Sequence, residues 1–131
     1  MPGDVVPIGT TSISYFAEDE SGNTSTCSFT VTVNDTEAPV FANCSADITV
    51  PNGPGICGAE VFYPVPSATD NCPGLTTTFT GLGSGATFPV GTTTETYIAT
   101  DASGNTAICE FTVTVEDVED PTITCPGDIT V

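Results

Sequence analysis

The sequence predicts an all-β chain built from β-sandwich modules in tandem. Three observations support this prediction: an internal repeat, segments in which apolar and polar residues alternate, and 6 cysteines in a chain that also has 13 glycines and 11 prolines. The chain has 131 residues, which is enough for one ordinary domain and part of another.

The internal repeat defines the organisation of the chain. Three segments recur 82 residues later in the same order: 6–11 as 88–93, 20–24 as 102–106, and 27–33 as 109–115. The segment 47–50 recurs as 128–131, at an offset of 81. A repeat at fixed spacing is typical of tandem modules. We therefore expect residues 1–37 to be the C-terminal part of a first module, 38–118 a complete module, and 119–131 the first strand of a third.

The repeated segments have the two-residue period of β-strands. Four apolar residues in the last strand of the complete module share one face: Cys109, Phe111, Val113 and Val115. Their counterparts in the first repeat are Cys27, Phe29, Val31 and Val33. Segments 57–63 and 75–80 are predicted to be further strands. Several short strands separated by Gly, Pro and Asn turns within one module favour an immunoglobulin-like sandwich.

Glu95 interrupts an otherwise apolar inward pattern in the strand that precedes the last one. The first repeat has Ile13 at this position. Because a lone carboxylate in an apolar core is unfavourable, we expect Glu95 to lie near a strand end or a wet edge.

The charge balance excludes several classes of function. The chain has 17 Asp and Glu residues, no Lys, Arg or His, and a net charge of −17. Such a surface repels nucleic-acid phosphates and anionic lipids, so we expect no nucleic-acid binding and no membrane insertion. The commonest general base and the usual cationic clamps are absent, and we expect no enzymatic activity. The hydrophobic fraction of 38% nevertheless permits a core.

The cysteines predict disulfides and an oxidising compartment. Cys44 and Cys109 lie on core faces of the first and last strands, which are near each other in an immunoglobulin-like sandwich, so we expect them to pair. This leaves Cys57 to pair with Cys72. Cys27 and Cys125 have no partner in this scheme: either their mates belong to modules that are incomplete here, or they bridge subunits in a fibre.

Several motifs resemble the hyalin repeat, or HYR module: 44–50, 68–72, 88–93, 99–106 and 109–115. The resemblance covers nearly the whole chain, and Cys44-Ser45 departs from the Cys-Pro that the family often has. The resemblance to the HYR module implies an extracellular module related to the immunoglobulin fold and associated with cell adhesion and matrix.

Acidic and amide residues are predicted to converge where one module joins the next. The candidate metal ligands are Asp35, Glu37, Asp70, Asn71, Asp101, Asn105, Asp117 and Glu119. Ca²⁺ binds six to eight oxygens of these types, and the chain has no cationic side chain to balance them. The alternative is that these residues only cap turns. We expect calcium at the junctions.

These features predict a structural or adhesive protein at the cell surface or outside the cell. Its partners would be neighbouring modules, which can assemble into a stalk, matrix or filament, or another extracellular protein or glycan. The alternative is a glycan- or protein-binding module appended to a larger secreted protein, which would bind through loops 68–74 and 101–105. Neither loop contains an aromatic residue.

Overall fold

The computed structural model describes residues 3–131. The strands, in chain order, are β1 Gly9–Glu18, β2 Thr24–Val33, β3 Val40–Ala42, β4 Ile48–Pro51, β5 Gly58–Glu60, β6 Ser67–Thr69, β7 Thr76–Thr80, β8 Thr87–Pro89, β9 Gly91–Thr100 and β10 Thr106–Glu116. Within these described residues, no helix has the length and apolar character that a membrane span requires.

A two-layer sandwich is formed by β3 to β10. One layer is a four-stranded sheet in the order β4-β10-β9-β7. In it β4 runs parallel to β10, and β9 runs antiparallel to both β10 and β7. The second layer consists of two antiparallel pairs, β3-β6 and β5-β8. The all-β, immunoglobulin-like class that the sequence predicts is confirmed.

The core of the sandwich lies between the two layers. The second layer contributes the buried side chains Ala59, Val61, Tyr63 and Phe88, and the four-stranded sheet contributes Tyr97, Cys109, Phe111, Val113 and Val115. The ring of Tyr63 meets that of Phe111 edge-on, with centroids 4.9 Å apart. The alternation in β10 therefore identified the inward face correctly.

Strands β1 and β2 form a separate antiparallel hairpin, paired from Gly9 with Val33 to Glu18 with Thr24. Its apolar face is less covered than that of β10, because the described residues include no second sheet that packs on it. Phe29 is 47% exposed and stacks on Tyr15, with ring centroids 6.2 Å apart. Val31 and Val33 are half-buried.

The two ends of the sandwich correspond to the two ends of strand β9. It has ten residues, which corresponds to a length of about 30 Å. The upper end, near Thr100, carries loops 70–75 and 101–105. The lower end, near Gly91, carries loop 52–57 and residues 116–119. Asn52 N–H donates to the carbonyl of Glu116 over 2.8 Å, which fastens that loop beneath β10.

A disulfide joins Cys44 to Cys109, with their Cα atoms 5.7 Å apart and 65 positions apart in sequence. The predicted pairing is confirmed. It connects the segment before β4 to the centre of β10. In the loop-entropy account, a bridge across a segment of this length stabilises the fold by about 4 kcal/mol.

The predicted Cys57–Cys72 pairing within one module is wrong. Both residues are free cysteines. The carbonyl of Cys57 accepts a hydrogen bond from Val90 N–H at the lower end, whereas Cys72 follows β6 at the upper end and is influenced by Asp101. The separation is of the order of the length of β9, about 30 Å, and a disulfide requires Cα atoms within about 7 Å.

One predicted strand is shorter than expected, and another is not formed. The segment 57–63 forms regular pairs only in β5, because its continuation bonds to an irregular loop. There Val61 N–H donates to the carbonyl of Ala86, and Tyr63 N–H donates to Ser84 Oγ. Residues 119–131 contain no strand. The equivalent β4 pairs with β10 of its own module, and residues 3–131 include no second partner strand of this kind for 128–131.

The prediction that Glu95 lies at a strand end or a wet edge is wrong. It lies within β9 and is 0% exposed. Its carboxylate accepts hydrogen bonds from Tyr63 Oη at 2.6 Å, Leu82 N–H at 2.8 Å and Gly83 N–H at 2.9 Å. Tyr63 Oη also lies 3.1 Å from Tyr97 Oη, and burial together with the hydrogen bonds to Glu95 and Tyr97 raises the pKa of Tyr63 well above its usual range. Three donors therefore replace the water that a buried carboxylate loses.

The loop that supplies the two backbone donors, Leu82 N–H and Gly83 N–H, approaches Glu95 closely because it contains Gly81. This glycine has φ +147°, and a Cβ there would lie 2.5 Å from Glu95 Oε1. A side chain at position 81 would push the carboxylate away from Leu82 N–H and Gly83 N–H.

Glu95→Ala is expected to lower the free energy of unfolding by about 3 kcal/mol, because it leaves buried N–H and O–H donors without an acceptor. Glu60→Ala, on the exposed side of β5, is the matched control and should change stability by less than about 0.5 kcal/mol. Urea unfolding of the three proteins at neutral pH measures both effects. Equal midpoints for the two variants would contradict the structural role assigned to Glu95.

Candidate metal site at the module junction

The linker between the hairpin and the sandwich, residues 34–37, lies against the upper end. Asn105 Nδ2 donates to the backbone carbonyl of Asp35 over 3.1 Å. Asn71 Nδ2 donates to Glu37 Oε2 over 3.2 Å. Asp35 also orders the linker itself, because its Oδ1 accepts the N–H of Glu37 at 3.1 Å. Both upper loops therefore hold the linker.

Asp35, Asp70 and Cys72 form a cluster in which one carboxylate oxygen of each aspartate and the Cys72 sulfur lie within 4.8 Å of one another. All three residues are half-buried. Asp70 Oδ2 accepts the N–H of Cys72 at 2.9 Å, whereas Asp70 Oδ1 is buried without any hydrogen-bond partner. Because buried carboxylate oxygens are normally paired, Asp70 Oδ1 is available to a ligand.

Asp101 caps the turn that connects β9 to β10. Its Oδ1 accepts the N–H groups of Ser103 and Asn105, each at 2.8 Å, and its Oδ2 accepts Asn105 Nδ2 at 2.7 Å. Burial acts to raise the pKa of Asp101, but the bonds from Asn105, Ser103 and Gly104 outweigh it and hold the pKa below its ordinary value. The turn-capping interpretation therefore accounts for the hydrogen bonds of Asp101.

The same turn is present in the first hairpin. Asp19 Oδ1 accepts the N–H groups of Ser21 and Asn23 at 2.9 Å, and its Oδ2 accepts Asn23 Nδ2 at 2.8 Å. Bonds from the side chain and backbone of Asn23 lower the pKa of Asp19. The repeated Asp-x-Ser-Gly-Asn spacing is thus the signature of a capped turn.

Cys72 is surrounded by negative charge. Its pKa is raised by burial, by its hydrogen bond to Asp35, and by the charges of Asp35, Asp70 and Asp101. The carboxylates of Asp35 and Asp70 and the Cys72 thiol therefore lie near one point, and the charge of Asp101 also acts on this thiol. Cys72 was not predicted to belong to this cluster, because it was expected to form a disulfide with Cys57.

Asp117 and Glu119 lie at the lower end and do not join the upper cluster. They repeat the local geometry of Asp35 and Glu37, since Asp117 Oδ1 accepts the N–H of Glu119 at 3.1 Å. The Glu119 carboxylate accepts Gly55 N–H at 2.9 Å and Asn52 Nδ2 at 3.4 Å. These contacts fasten the second linker to the module that precedes it.

The donor set of the upper cluster fits a hard, oxygen-binding cation. Asp35 and Asp70 offer carboxylate oxygens, one of them unpaired, and Asp101 and Glu37 lie beside them. Ca²⁺ accepts such oxygens in flexible geometry, whereas Mg²⁺ requires a tighter octahedron. The sulfur of Cys72 is a soft donor that Ca²⁺ does not favour.

The fold and the disulfide define the chain as an immunoglobulin-like sandwich repeat. The family model described as the HYR domain matches residues 1–33 and 34–115. Hyalin of Strongylocentrotus purpuratus is 43% identical over 99% of this chain, and hyalin of Lytechinus variegatus is 38% identical over 97%. The serine-rich adhesin for platelets of Staphylococcus aureus (strain MRSA252) is 32% identical over 83%. The chain belongs to the HYR domain family, as the sequence motifs predict.

The chain spans only a small part of these relatives: 11% of the first hyalin, 25% of the second and 9% of the adhesin. The domain boundaries predicted at 37 and 118 stay a prediction.

Asp101→Asn is expected to alter the acid sensitivity of the sandwich. The folded pKa of Asp101 lies below the ordinary value of 3.8, so the ionised carboxylate stabilises the fold above that pH, and this contribution is lost as the pH falls through the folded pKa. Asparagine does not titrate. The difference in free energy of unfolding between the wild type and Asp101→Asn should therefore be largest above about pH 5 and shrink below pH 3.8.

Urea unfolding between pH 2.5 and 6 in metal-free buffer measures this difference. Asp19→Asn is the matched control, because it changes the same turn in the hairpin and should leave unfolding of the sandwich unaltered. A difference between wild type and Asp101→Asn that is constant over the whole pH range would contradict the assignment.

Proposed function

We propose that this chain is a segment of an extracellular, structural and adhesive array, in which successive sandwich modules form a stalk or matrix stiffened by calcium. Membership in the HYR family supports the adhesive role, as do relatives named hyalin and adhesin. The absence of Lys, Arg and His from the sequence favours binding over catalysis.

The observation that carries the proposal is the way the linkers are held. The upper loops of the sandwich bind the linker that precedes it, through Asn105 and Asn71. The lower loop 52–57 binds the linker that follows it, through contacts to Glu119. Since the two linkers are repeats of each other, each linker in an array would be held from both sides. An array held in this way resists bending.

Calcium supplies the missing positive charge in this proposal. The linker carboxylate of Asp35 and the module carboxylate of Asp70 lie together, and Asp70 Oδ1 has no donor. Like charges at this separation repel one another unless a cation lies between them. Shared coordination of Ca²⁺ would tie the linker to the module. In this scheme Asp101 contributes charge and Glu37 a further oxygen, while Asn71 and Asn105 hold the linker in place.

The first partner of each module is its neighbour in the array, and lateral association of arrays would give a filament. The rival role, recognition of a glycan or of another protein by the upper loops, would require a binding surface there. Loops 68–74 and 101–105 contain no aromatic residue, and aromatic side chains commonly anchor such surfaces. The structural role therefore has the stronger support.

Calcium titration of the chain is expected to release or absorb heat and to raise the melting temperature. At a calcium concentration a hundredfold above Kd, binding stabilises the folded state by about 2.7 kcal/mol. Asp70→Asn removes the unpaired oxygen's charge and should weaken calcium binding at least tenfold. Isothermal calorimetry and thermal unfolding with calcium or with chelator measure both quantities.

Glu60→Gln is the matched control, because it removes one charge from an exposed strand position far from the junction. It should bind calcium like the wild type. Cys72→Ser should also retain calcium binding, since Ca²⁺ coordinates oxygen. If Cys72→Ser lost calcium binding and the wild-type protein bound zinc, the site would be a thiolate metal site instead. Identical melting curves with calcium and with chelator would contradict the proposal.

A further inference from the structure

Cys57 and Cys72 have no disulfide partner within the module that contains them. They are free cysteines at opposite ends of the sandwich. Cys57 is exposed at the end of loop 52–57, and Cys72 is half-buried beside the preceding linker. In a tandem array the lower end of one module faces the upper end of the next. The two cysteines that face each other are therefore Cys57 of one module and the counterpart of Cys72 in the following module.

The second linker shows how near these positions are. Asp35 lies within 4.8 Å of the Cys72 sulfur, and its repeat is Asp117, so Asp117 marks the place of the next module's Cys72 counterpart. Loop 52–57 holds the residues on both sides of Asp117. Asn52 N–H donates to the carbonyl of Glu116 at 2.8 Å, and Val118 N–H donates to Asn52 Oδ1 at 3.1 Å.

The same asparagine connects the linker to the neighbourhood of Cys57. Asn52 Nδ2 donates to the carbonyl of Ile56 over 3.1 Å, and Ile56 immediately precedes Cys57. One short loop therefore places Cys57 beside the linker whose other side would contact the next module's Cys72 counterpart.

The upper junction supplies an independent observation. A cleft of about 320 Å³ there is lined by residues of both repeats, among them Ile8 and Asp35. Ile8 is the repeat of Val90, whose N–H binds the carbonyl of Cys57, while Asp35 contacts Cys72. One side of the cleft is therefore Ile8, which corresponds to the residue that binds the Cys57 carbonyl. Another side is Asp35, which contacts Cys72.

We propose that Cys57 of each module forms a disulfide with the Cys72 counterpart of the module that follows it. This inference rests on the tandem array of the proposed function and does not require calcium. A disulfide such as oxidised glutathione is the oxidant. The Cys57 thiolate displaces one glutathione thiolate from it, and the second cysteine's thiolate displaces the other. The two cysteines lose two electrons and two protons in total, and glutathione disulfide becomes two glutathione thiols.

The bridge would fix neighbouring modules to each other covalently, and each module would carry one intramodular disulfide and share one with each neighbour. The carboxylates of Asp35 and Asp70 are not consumed by this bond. The junction therefore retains its oxygen ligands after the sulfurs have joined.

The test uses a tandem protein in which residues 1–120 are followed directly by residues 39–131, so that Asp120 precedes Pro39 as it precedes Pro121 in the natural chain. Cys27→Ser and Cys125→Ser remove the two remaining free cysteines. Cys72→Ser in the first copy and Cys57→Ser in the second then leave only the pair that faces the junction. The matched control has Cys57→Ser in the first copy and Cys72→Ser in the second, which leaves the pair at the two outer ends.

Both proteins are refolded in a glutathione redox buffer, alkylated, and mapped with pepsin at acid pH, because the chain has no Lys or Arg for trypsin. Formation of Cys44–Cys109 in each copy shows that the modules have folded. We expect at least nine-tenths of the junction protein to contain no alkylatable thiol and to yield a Cys57–Cys72 peptide, with or without chelator. The control should keep both thiols. Two alkylatable thiols in the folded junction protein would overturn the inference.

X-ray scattering and calcium titration on the same two proteins separate this inference from the proposed function. A stiff, calcium-binding tandem with both junction thiols free would overturn the bridge alone. A tandem that binds no calcium and whose modules move independently in the control would overturn the calcium-stiffened array, whatever the state of the junction thiols.

Discussion

The constraint on which this structure depends is the absence of any cationic side chain. With 17 side-chain carboxylates and no Lys, Arg or His, every ionised acidic group must be stabilised by N–H and O–H donors, by solvent or by a bound cation. The fold meets this requirement at particular points. Glu95 is surrounded by donors inside the core, Asp101 caps a turn, and Asp47 binds Thr112 N–H of β10. Carboxylates thus act as connectors between segments.

Asp70 is the exception that gives the junction its chemical character. One of its oxygens is bound by Cys72 N–H, while the other is buried and unpaired next to Asp35. The buried carboxylates of Glu95 and Asp101 have hydrogen-bond donors on both oxygens, whereas Asp70 has one oxygen without a donor at the point where the two repeats meet. The Cys72 thiol and the linker lie at the same point.

The sequence predicted those parts of the fold that depend on backbone periodicity. Alternation identified the inward face of β10, and the adjacency of first and last strands identified the Cys44–Cys109 pair, which the structure confirms. It failed for Glu95, although the alternation did place that residue on the inward face. Its donors, Tyr63 and the Leu82 and Gly83 amides, lie 12 to 32 positions away, and only the folded chain brings them to the carboxylate.

The Cys57–Cys72 error has a different physical origin. The two residues are close in sequence, but an extended segment between them crosses the whole sandwich, so proximity along the chain implies distance in space. The convergence of Asp35 and Asp70 at one end was foreseen because loop positions follow from strand order. What the sequence could not show is which carboxylate oxygens the turns already occupy, since that depends on backbone N–H directions.

The Cys44–Cys109 disulfide also determines how such a chain would carry tension. Pulled from linker to linker, force enters at residues 38–44, crosses the sulfur–sulfur bond and leaves along the second half of β10. The 65 positions that separate the two cysteines contain most of the sandwich, yet they lie outside this covalent path. A stretched module can therefore lengthen only by the short segments on either side of the bond, and the rest of its chain stays shielded from the load.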